Sequence, residues 1–256
     1  MSGSPGGTVT APSTHPADLL EVENHYLAQW GRREILRTTL IAAAGLLASL
    51  LLVKYSVVLW SVVAVPIIAL GGLGVLFFRC PRRTIPQGPG VLLAPADGTV
   101  TEVGRVDEPD FIRGPALKVG IFLSIFDVHF NRTPVSGRVE YVKHQDGLHL
   151  DARDPRSGSE NECQAIGIAS HEDGLAQGTR VLVRQISGAI ARRIICPLKE
   201  GQTVERGRII GMIKYGSRTE VFLATPAGCP AVEVLVKVGD KVKAGETIIW
   251  RVGPEG

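Results

Sequence analysis

The chain has 256 residues, 45% of them hydrophobic, and a net charge of +3, which allows one sizeable domain with an appendage. Its lysines and arginines are scattered rather than massed on one segment, which argues against a nucleic-acid-binding protein. No C-x-x-C spacing and no histidine pair at a metal-ligand interval occurs, so neither a zinc site nor a disulfide framework is indicated. We expect reduced thiols on the cytoplasmic side for the four cysteines, Cys80, Cys163, Cys196 and Cys229.

The first 37 residues are predicted to form a polar tail. Residues 1–15 are rich in Gly, Ser, Thr and Pro, a composition typical of disorder. The segment ADLLEVENHYLAQW, residues 17–30, is compatible with a short helix on a membrane surface. Because acidic and polar groups precede any apolar core, we do not expect a cleaved signal peptide.

Two long apolar runs follow, Thr39–Val53 and Tyr55–Phe78, with Lys54 between them. A membrane helix needs about 20 apolar residues. The second run has that length, whereas the first would span only with little tilt or a locally thinner bilayer. We predict a transmembrane helical hairpin over residues 38–78, with one span plus a re-entrant segment as the alternative. A buried helical pair in a soluble core fits poorly, since both runs are apolar on all faces.

Arginines flank this hairpin on both sides, and only Lys54 lies between the runs. The positive-inside bias therefore places both ends, and the domain that follows, at the cytoplasmic face of the cell membrane. No ionisable residue lies inside either run, so we expect the hairpin to present the domain to lipid rather than to take part in chemistry. The flanking residues, which would attract anionic lipid, are Arg32, Arg33, Arg37, Arg79, Arg82 and Arg83.

The remainder of the chain, residues 79–256, is predicted to be a mainly β domain. A glycine turn precedes an alternating strand in three similar phrases: PADGTVTEV at 95–103, PVSGRVEYV at 134–142 and QISGAIARRI at 185–194. Such repetition predicts hairpins folded into a compact barrel or sandwich.

A second pattern, G-x-x-V-x-x-G-x-x-I, occurs at 201–210 and at 239–248, as in the hairpins of biotinyl or lipoyl carrier domains. A membrane-anchored carrier or adaptor is therefore the competing class of function. Against it, the segment that would present a carrier lysine, YGSRTEVFLATPAGCP, contains no lysine. Residues 146–164 have many breakers and no periodicity, which predicts a long surface loop over a site.

The stretch MIKYGSRTEVFL, residues 212–223, resembles one strand interrupted by Gly216 and Ser217. A bulge glycine followed by an ordinary serine is the simplest interpretation, and no G-x-S-x-G elbow is present. One chemistry does require this pair. The serine oxygen attacks the glycine carbonyl carbon, which is open because glycine lacks Cβ. With a base and an acid nearby, elimination then releases the upstream chain as a carboxylate and leaves dehydroalanine, which hydrolyses to a pyruvoyl group.

Six segments in order carry a family resemblance: FFRCPRRTIP, PADGTV, FDVHFNRTPVSG, SENE, QISGAIARRI and IKYGSRTEVFL. Together they resemble the phosphatidylserine decarboxylase proenzymes of the short, two-span kind. The resemblance implies self-cleavage between Gly216 and Ser217, with Ser217 becoming the covalent pyruvoyl cofactor of the small chain. It also implies conversion of phosphatidylserine to phosphatidylethanolamine and carbon dioxide, with membrane lipids and the two chains of one precursor as partners.

The same resemblance implies roles for three further residues. Asp97 in PADG matches the acidic member of the self-processing relay, whereas the residues alone favour an Asp-Gly turn. His129 matches the family histidine, and Arg132 stands where longer bacterial members carry a second histidine. Either His129 serves both maturation and decarboxylation, or Arg132 binds the substrate phosphate while another group moves the proton. We expect Asp97 and His129 to converge on Ser217, with the carboxylate orienting the imidazole. The sequence leaves open a diacyl or an ether lipid, and homo-oligomer formation.

Overall fold

The computed structural model of the protein describes residues 29–189, 193–214, 216–225 and 231–253. Three α-helices are present in these ranges: α1 (Arg32–Ser49), continued by a 3-10 turn over Leu50–Leu52, α2 (Val57–Phe77) and the short α3 (Ser157–Glu160). The strands are β1 (Val91–Leu93), β2 (Gly98–Glu108), β3 (Gly114–Leu123), β4 (Phe130–Arg132), β5 (Gly137–Gln145), β6 (Cys163–Ser170), β7 (Arg180–Ile186), β8 (Arg193–Ile195), β9 (Thr203–Val204), β10 (Ile209–Lys214), β11 (Ser217–Ala224), β12 (Val232–Val234), β13 (Lys241–Val242) and β14 (Ile248–Val252).

The two long helices pack against each other through small residues. A Cβ added at Gly74 would lie 2.8 Å from Thr38 Cγ2, and one added at Gly71 would lie 3.1 Å from Ala42 Cβ. Small residues at such positions let two helix backbones approach closely, as membrane helices do. By length and composition both helices could cross a membrane, over Arg32–Leu52 and Val57–Phe77, which is compatible with membrane association.

Helix α1 begins at Arg32, six positions before the start predicted for the apolar hairpin. Arginine, glutamate and leucine are good helix formers, so the helix extends into the polar segment. The predicted surface helix at 17–30 lies outside the described residues except for its end, where Gln29–Gly31 form a 3-10 turn.

The strands form three antiparallel sheets. The largest has the order β13-β2-β3-β11-β7-β6-β5-β9 and curls into half a barrel, and two three-stranded sheets have the orders β1-β14-β12 and β4-β10-β8. The prediction of a mainly β fold with a preceding helical pair is confirmed. Alternate side chains of the large sheet point into one apolar core, which β1 and β14 cover. The core includes Leu92, Val119, Ile121, Ile168, Val183, Val221, Ile249 and Trp250.

The stretch around Gly216 is two strands rather than one interrupted strand. Strand β10 pairs with β4 and β8 in a small sheet, whereas β11 pairs with β3 and β7 in the large sheet. The chain therefore changes sheets at the junction that contains Gly216. Gly216 has a φ of +63°, a left-handed conformation that glycine adopts without steric cost. Its neighbour Tyr215 lies outside the described residues.

The two G-x-x-V-x-x-G-x-x-I segments have matching backbones. Gly201 and Gly239 have φ values of +89° and +97°, and Gly207 and Gly245 have values of +79° and +74°. Each repeat therefore makes the same two turns around a two-residue strand, while their likeness to carrier hairpins stays a prediction. The predicted loop after β5 contains α3, and it is folded onto the large sheet, because Arg184 of β7 donates to the Gly158 carbonyl at 2.7 Å.

The helical hairpin packs against the three-stranded sheet β4-β10-β8 through an apolar cluster that we call the root cluster. Trp30 stacks on Phe130 of β4, with ring centroids 5.9 Å apart. The boundary between the hairpin and the domain therefore crosses a packed core rather than an exposed linker. The members of the root cluster are Trp30, Ile35, Phe77, Phe78, Cys80, Val128, Phe130, Ile209 and Met212.

Candidate active site

The Gly216–Ser217 pair lies at the point where the chain enters the large sheet. Ser217 is the first residue of β11 and lies opposite Leu123 of β3. Its side chain is fully buried, and its Oγ has no hydrogen-bond partner among the described residues. Burying a hydroxyl without a hydrogen-bond partner costs free energy of folding. The Ser217 oxygen is therefore available for another interaction.

His129 contacts the residue before that serine. The Gly216 N–H donates to His129 Nε2 at 3.3 Å, and His129 Nδ1 lies 3.0 Å from the Asp127 carbonyl oxygen. Because Nε2 accepts a hydrogen bond, the proton of the neutral ring must be on Nδ1, which donates to Asp127. The Asp127 carboxylate in turn accepts from the Ser124 N–H at 2.8 Å and from the Ser124 Oγ at 2.7 Å. The loop before β4 is thereby fixed, and the unprotonated Nε2 faces the Gly216 backbone.

The surroundings of His129 keep the imidazole neutral. The ring is fully buried, and the Phe77 ring centroid is 4.2 Å from its own. Burial lowers the pKa of His129 to about 4, although the Asp127 hydrogen bond and charge oppose this shift. The positive charge of Arg79 lowers the pKa further. At neutral pH the side chain is therefore able to accept a proton.

Space around the Gly216 carbonyl depends on a second glycine. A Cβ added at Gly188 would lie 2.5 Å from the Gly216 oxygen. Gly188 follows Ser187, whose carbonyl accepts from Asn161 Nδ2 at 2.8 Å. Both Gly188 and Asn161 were missed as site residues in the sequence, although they lie in QISGAIARRI and SENE. Their membership of these two segments was the one signal that the sequence offered. The residues next to them do not indicate that they come close to residue 216.

A buried polar network lies on the same face of β11 as Ser217. Asn131 Nδ2 donates to Thr219 Oγ1 at 3.0 Å, and Gln185 Nε2 donates to Asn131 Oδ1 at 2.7 Å. All three side chains are fully buried. Gln185 Oε1 has no hydrogen-bond partner among the described residues, and the two bonds that are made connect β4, β7 and β11.

Asp97 does not make the predicted hydrogen bond with His129. Its Oδ2 accepts from Arg83 Nη2 at 2.7 Å, and its Oδ1 accepts from the Ala244 N–H at 2.8 Å. Burial raises the pKa of Asp97, against the opposing charge of Arg83. We expected this carboxylate to orient the imidazole, but both of its oxygens accept other hydrogen bonds. The imidazole is oriented instead by the bond from its Nδ1–H to the Asp127 carbonyl.

Arg132 lies at the end of β4 and is buried. Its guanidinium donates to the Gly207 carbonyl at 2.8 Å and to the Pro81 carbonyl at 3.4 Å. These contacts connect three segments of the chain. The structure does not place Arg132 among the residues that line the pocket beside Gly216, and its role in substrate binding stays a prediction.

An open pocket of about 260 Å³ borders Gly216. Its wall is mostly apolar, and its two charged residues, Arg153 and Asp151, form an ion pair at 2.6 Å. The pocket lies where the predicted loop after β5 meets the end of β3, and the position of that loop over a functional site stays a prediction. The lining residues are Phe122, Leu123, Ser124, Ile125, Asp151, Ala152, Arg153, Ala189 and Gly216.

Comparison with known proteins gives one consistent match. Residues 70–250 match the family model described as phosphatidylserine decarboxylase. A phosphatidylserine decarboxylase proenzyme of Carboxydothermus hydrogenoformans is 46% identical over 178 residues, covering 70% of this chain and 79% of the relative. A proenzyme of the same name from Rhodopirellula baltica is 41% identical and covers 80% of this chain and 82% of its own. Another, from Chlorobium luteolum, is 39% identical and covers 88% and 99%.

Proposed function

Because the chain belongs to the phosphatidylserine decarboxylase family, we propose that it is a precursor that cuts itself between Gly216 and Ser217. The mature enzyme removes carbon dioxide from phosphatidylserine and leaves phosphatidylethanolamine, a step of phospholipid synthesis. Family membership also removes the basis for the competing carrier function. The observation that carries the self-cleavage is a buried Ser217 Oγ without a hydrogen-bond partner among the described residues. It comes directly after a left-handed Gly216 whose N–H contacts His129 Nε2.

The first step is an acyl shift. Ser217 Oγ attacks the Gly216 carbonyl carbon, the C–N bond to Ser217 breaks, and an ester forms. His129 is the candidate to accept the hydroxyl proton and return a proton to the Ser217 nitrogen, since its Nε2 is unprotonated beside the scissile peptide. The left-handed turn at Gly216 and the missing Cβ at Gly188 leave room around the carbonyl as it becomes tetrahedral.

The second step is an elimination. Loss of the Ser217 α-proton forms a carbon–carbon double bond and breaks the Cβ–O bond, so that Gly216 leaves as a carboxylate. The dehydroalanine that remains takes up water and releases ammonia. The residues present fit the product, because residue 217 is the first residue of β11 and lies beside the open pocket. The resulting pyruvoyl group supplies an electron-accepting carbonyl for decarboxylation.

In the mature enzyme, the chain's own residues would hold the substrate at the start of β11. The pocket wall is mostly apolar, and the Arg153 guanidinium, paired with Asp151, is the cationic group there that would contact an anionic headgroup. His129, dry and neutral, can accept a proton close to residue 217. We place the hairpin in the cell membrane with the domain on the cytoplasmic face, which would bring this pocket to the headgroup layer.

Self-cleavage is tested by comparing the full chain with Ser217→Ala and Ser217→Thr on denaturing gels. The wild type should appear as residues 1–216 and 217–256. The alanine variant should remain whole because it has no nucleophile, and the threonine variant should cleave slowly. An intact wild-type chain in a preparation that decarboxylates phosphatidylserine would overturn the proposal.

A further inference from the structure

We propose that the root of the helical hairpin completes the self-processing site, with Phe77 and the Lys214–Glu34 ion pair acting as positioning residues for His129 and Gly216. This inference rests on the proposed self-cleavage. It departs from the expectation that the hairpin only presents the domain to lipid, and it makes self-cleavage dependent on a correctly packed hairpin.

The first contact comes from helix α2. Phe77 is its last residue, and the Phe77 ring lies on the His129 imidazole with centroids 4.2 Å apart and an interplanar angle of 36°. Phe78 packs edge-on against Phe77 at 5.1 Å. Both phenylalanines are buried. The end of α2 therefore forms one wall around the imidazole and keeps water from its face.

The second contact comes from helix α1. Lys214 is the last residue of β10 and precedes Gly216 by two positions. Its ammonium donates to the Trp30 carbonyl at 3.1 Å and to the Glu34 carboxylate, and it lies 5.7 Å from the Phe78 ring centroid. The Lys214 side chain is only 6% exposed, and a buried ammonium is costly without a partner charge. Glu34 supplies that charge and so fixes the chain just before the scissile peptide.

These contacts join the two strands that carry the site. Strand β4 begins directly after His129, and β10 ends just before Gly216. Phe130 of β4 and Met212 of β10 are both members of the root cluster and are directly paired. The hairpin thus packs against the pair of strands that sets the distance between His129 and Gly216. Because interiors are densely packed, losing one wall of this cluster is expected to shift both residues.

The inference makes a specific prediction about pH. The charged groups that face His129 are Asp127, on its own loop, and Arg79, which follows α2. Burial outweighs Asp127 and holds the pKa of His129 at about 4. Phe77→Ala would admit water and let that pKa rise toward the ordinary value of about 6.5. Self-cleavage at about pH 5.5 should then fall roughly tenfold relative to its rate at about pH 8, because the imidazole becomes mostly protonated.

The test follows self-cleavage of the pulse-labelled full chain, made in a cell-free system with phospholipid vesicles and transferred to buffers between about pH 4.5 and about pH 8. The variants are Phe77→Ala, Phe77→Leu, which retains apolar bulk, and Leu76→Ala, an exposed neighbour on the same helix turn. We expect the fall in cleavage rate at acid pH to shift to higher pH for Phe77→Ala alone. Equal slowing of that variant at every pH, or no slowing, would overturn the role of Phe77.

The ion pair is tested in the same assay with Glu34→Gln and with the exchanged pair Glu34→Lys plus Lys214→Glu. Glu34→Gln should slow cleavage at every pH, because it leaves Lys214 buried without a partner charge, and the exchanged pair should restore much of the rate. If Glu34→Gln cleaves at the wild-type rate, the pair has no positioning role. Failure of the wild type to cleave would instead contradict the proposed function, so the two failures are distinguishable.

Discussion

At the scale of single residues, the proposed chemistry depends on one atom or group from each of three residues, Ser217, Gly216 and His129. Ser217 supplies an oxygen without a hydrogen-bond partner among the described residues, and Gly216 supplies a carbonyl on a left-handed backbone. His129 supplies an unprotonated nitrogen in a dry environment. Each property follows from burial or from the absence of a Cβ. Single substitutions that alter the burial or add a Cβ should therefore change the rate of self-cleavage.

Gly188→Ala should slow self-cleavage by about tenfold or more, because misplacing a reacting group by about 1 Å is enough for losses of this size. The added methyl would lie 2.5 Å from the Gly216 oxygen and force the carbonyl to move. The measurement is the rate of appearance of the small chain on gels. Gly104→Ala is the matched control, since a Cβ there meets no atom within 4 Å. Equal rates for the two variants would show that the approach of Gly188 is unimportant.

Asp97→Asn and Arg83→Gln should impair self-cleavage to a similar extent. The Asp97 carboxylate bonds to Arg83 and to the Ala244 N–H rather than to His129, so its effect on maturation should pass through that ion pair. Far-ultraviolet circular dichroism on the accumulated precursors checks that the fold is retained. Normal cleavage of Arg83→Gln beside a blocked Asp97→Asn would favour a direct relay role for Asp97 instead.

At the scale of elements, the sequence predicted the local features and missed those that depend on pairing. Period-two alternation and glycine turns predicted a mainly β domain, and the Gly216–Ser217 pair is recognisable because its chemistry needs adjacent residues. The change of sheet between β10 and β11 was missed, because strand partners are distant in sequence. The Ala244 N–H that bonds to Asp97 was missed for the same reason, since it lies 147 positions away.

Strand β11 should keep the two chains together after cleavage. It pairs with β3 from Ser217 to Ala224 and with β7 from Arg218 to Leu223, and the following β14 pairs with β1. These ladders and the core beneath them do not involve the Gly216–Ser217 peptide bond. Native mass spectrometry of the detergent-solubilised enzyme should therefore show one large and one small chain together. Release of the small chain without denaturant would contradict the strand pairing.

At the scale of the whole molecule, the hairpin and the β domain share the root cluster. The sequence correctly indicated two apolar helices, but the apolar runs alone could not show that residues at the outer ends of the hairpin pack on β4 and β10. A domain that begins after the hairpin would expose Phe130, Ile209 and Met212, which are buried in the full chain. Exposed apolar patches of this kind favour aggregation.

A chain that starts at Arg79 should consequently fail to cleave itself efficiently, even with detergent-dispersed lipid present. It lacks Glu34 and the root-cluster members Trp30, Ile35, Phe77 and Phe78. A hairpin that only presented the domain to lipid, as expected from the sequence, would instead leave this shorter chain able to cut itself. A chain that starts at Gln29 retains every described residue and is the control on gels. Full-rate cleavage of the Arg79 chain would show that the hairpin serves only as an anchor.

Phe126 should lie at the membrane interface if the hairpin spans the bilayer. Its side chain is 66% exposed, and its carbonyl accepts a hydrogen bond from Arg79, which follows α2 by two positions. In vesicles, brominated lipids should quench the extra tryptophan fluorescence that Phe126→Trp adds to that of the unsubstituted chain. Val238→Trp, at a similarly exposed position of 61%, should gain no such quenching. Equal quenching of the two introduced tryptophans would contradict this orientation of the domain.

The most direct test of the central claim is the intact mass of the small chain from the purified wild-type enzyme. Self-cleavage through ester elimination predicts residues 217–256 without a free N-terminal amino group, about 17 Da lighter than the peptide that begins with serine, because ammonia is lost. Reductive amination or borohydride reduction should change this mass and abolish decarboxylation together. A small chain with an unmodified N-terminal serine, or an uncut chain of full mass in active enzyme, would contradict the account.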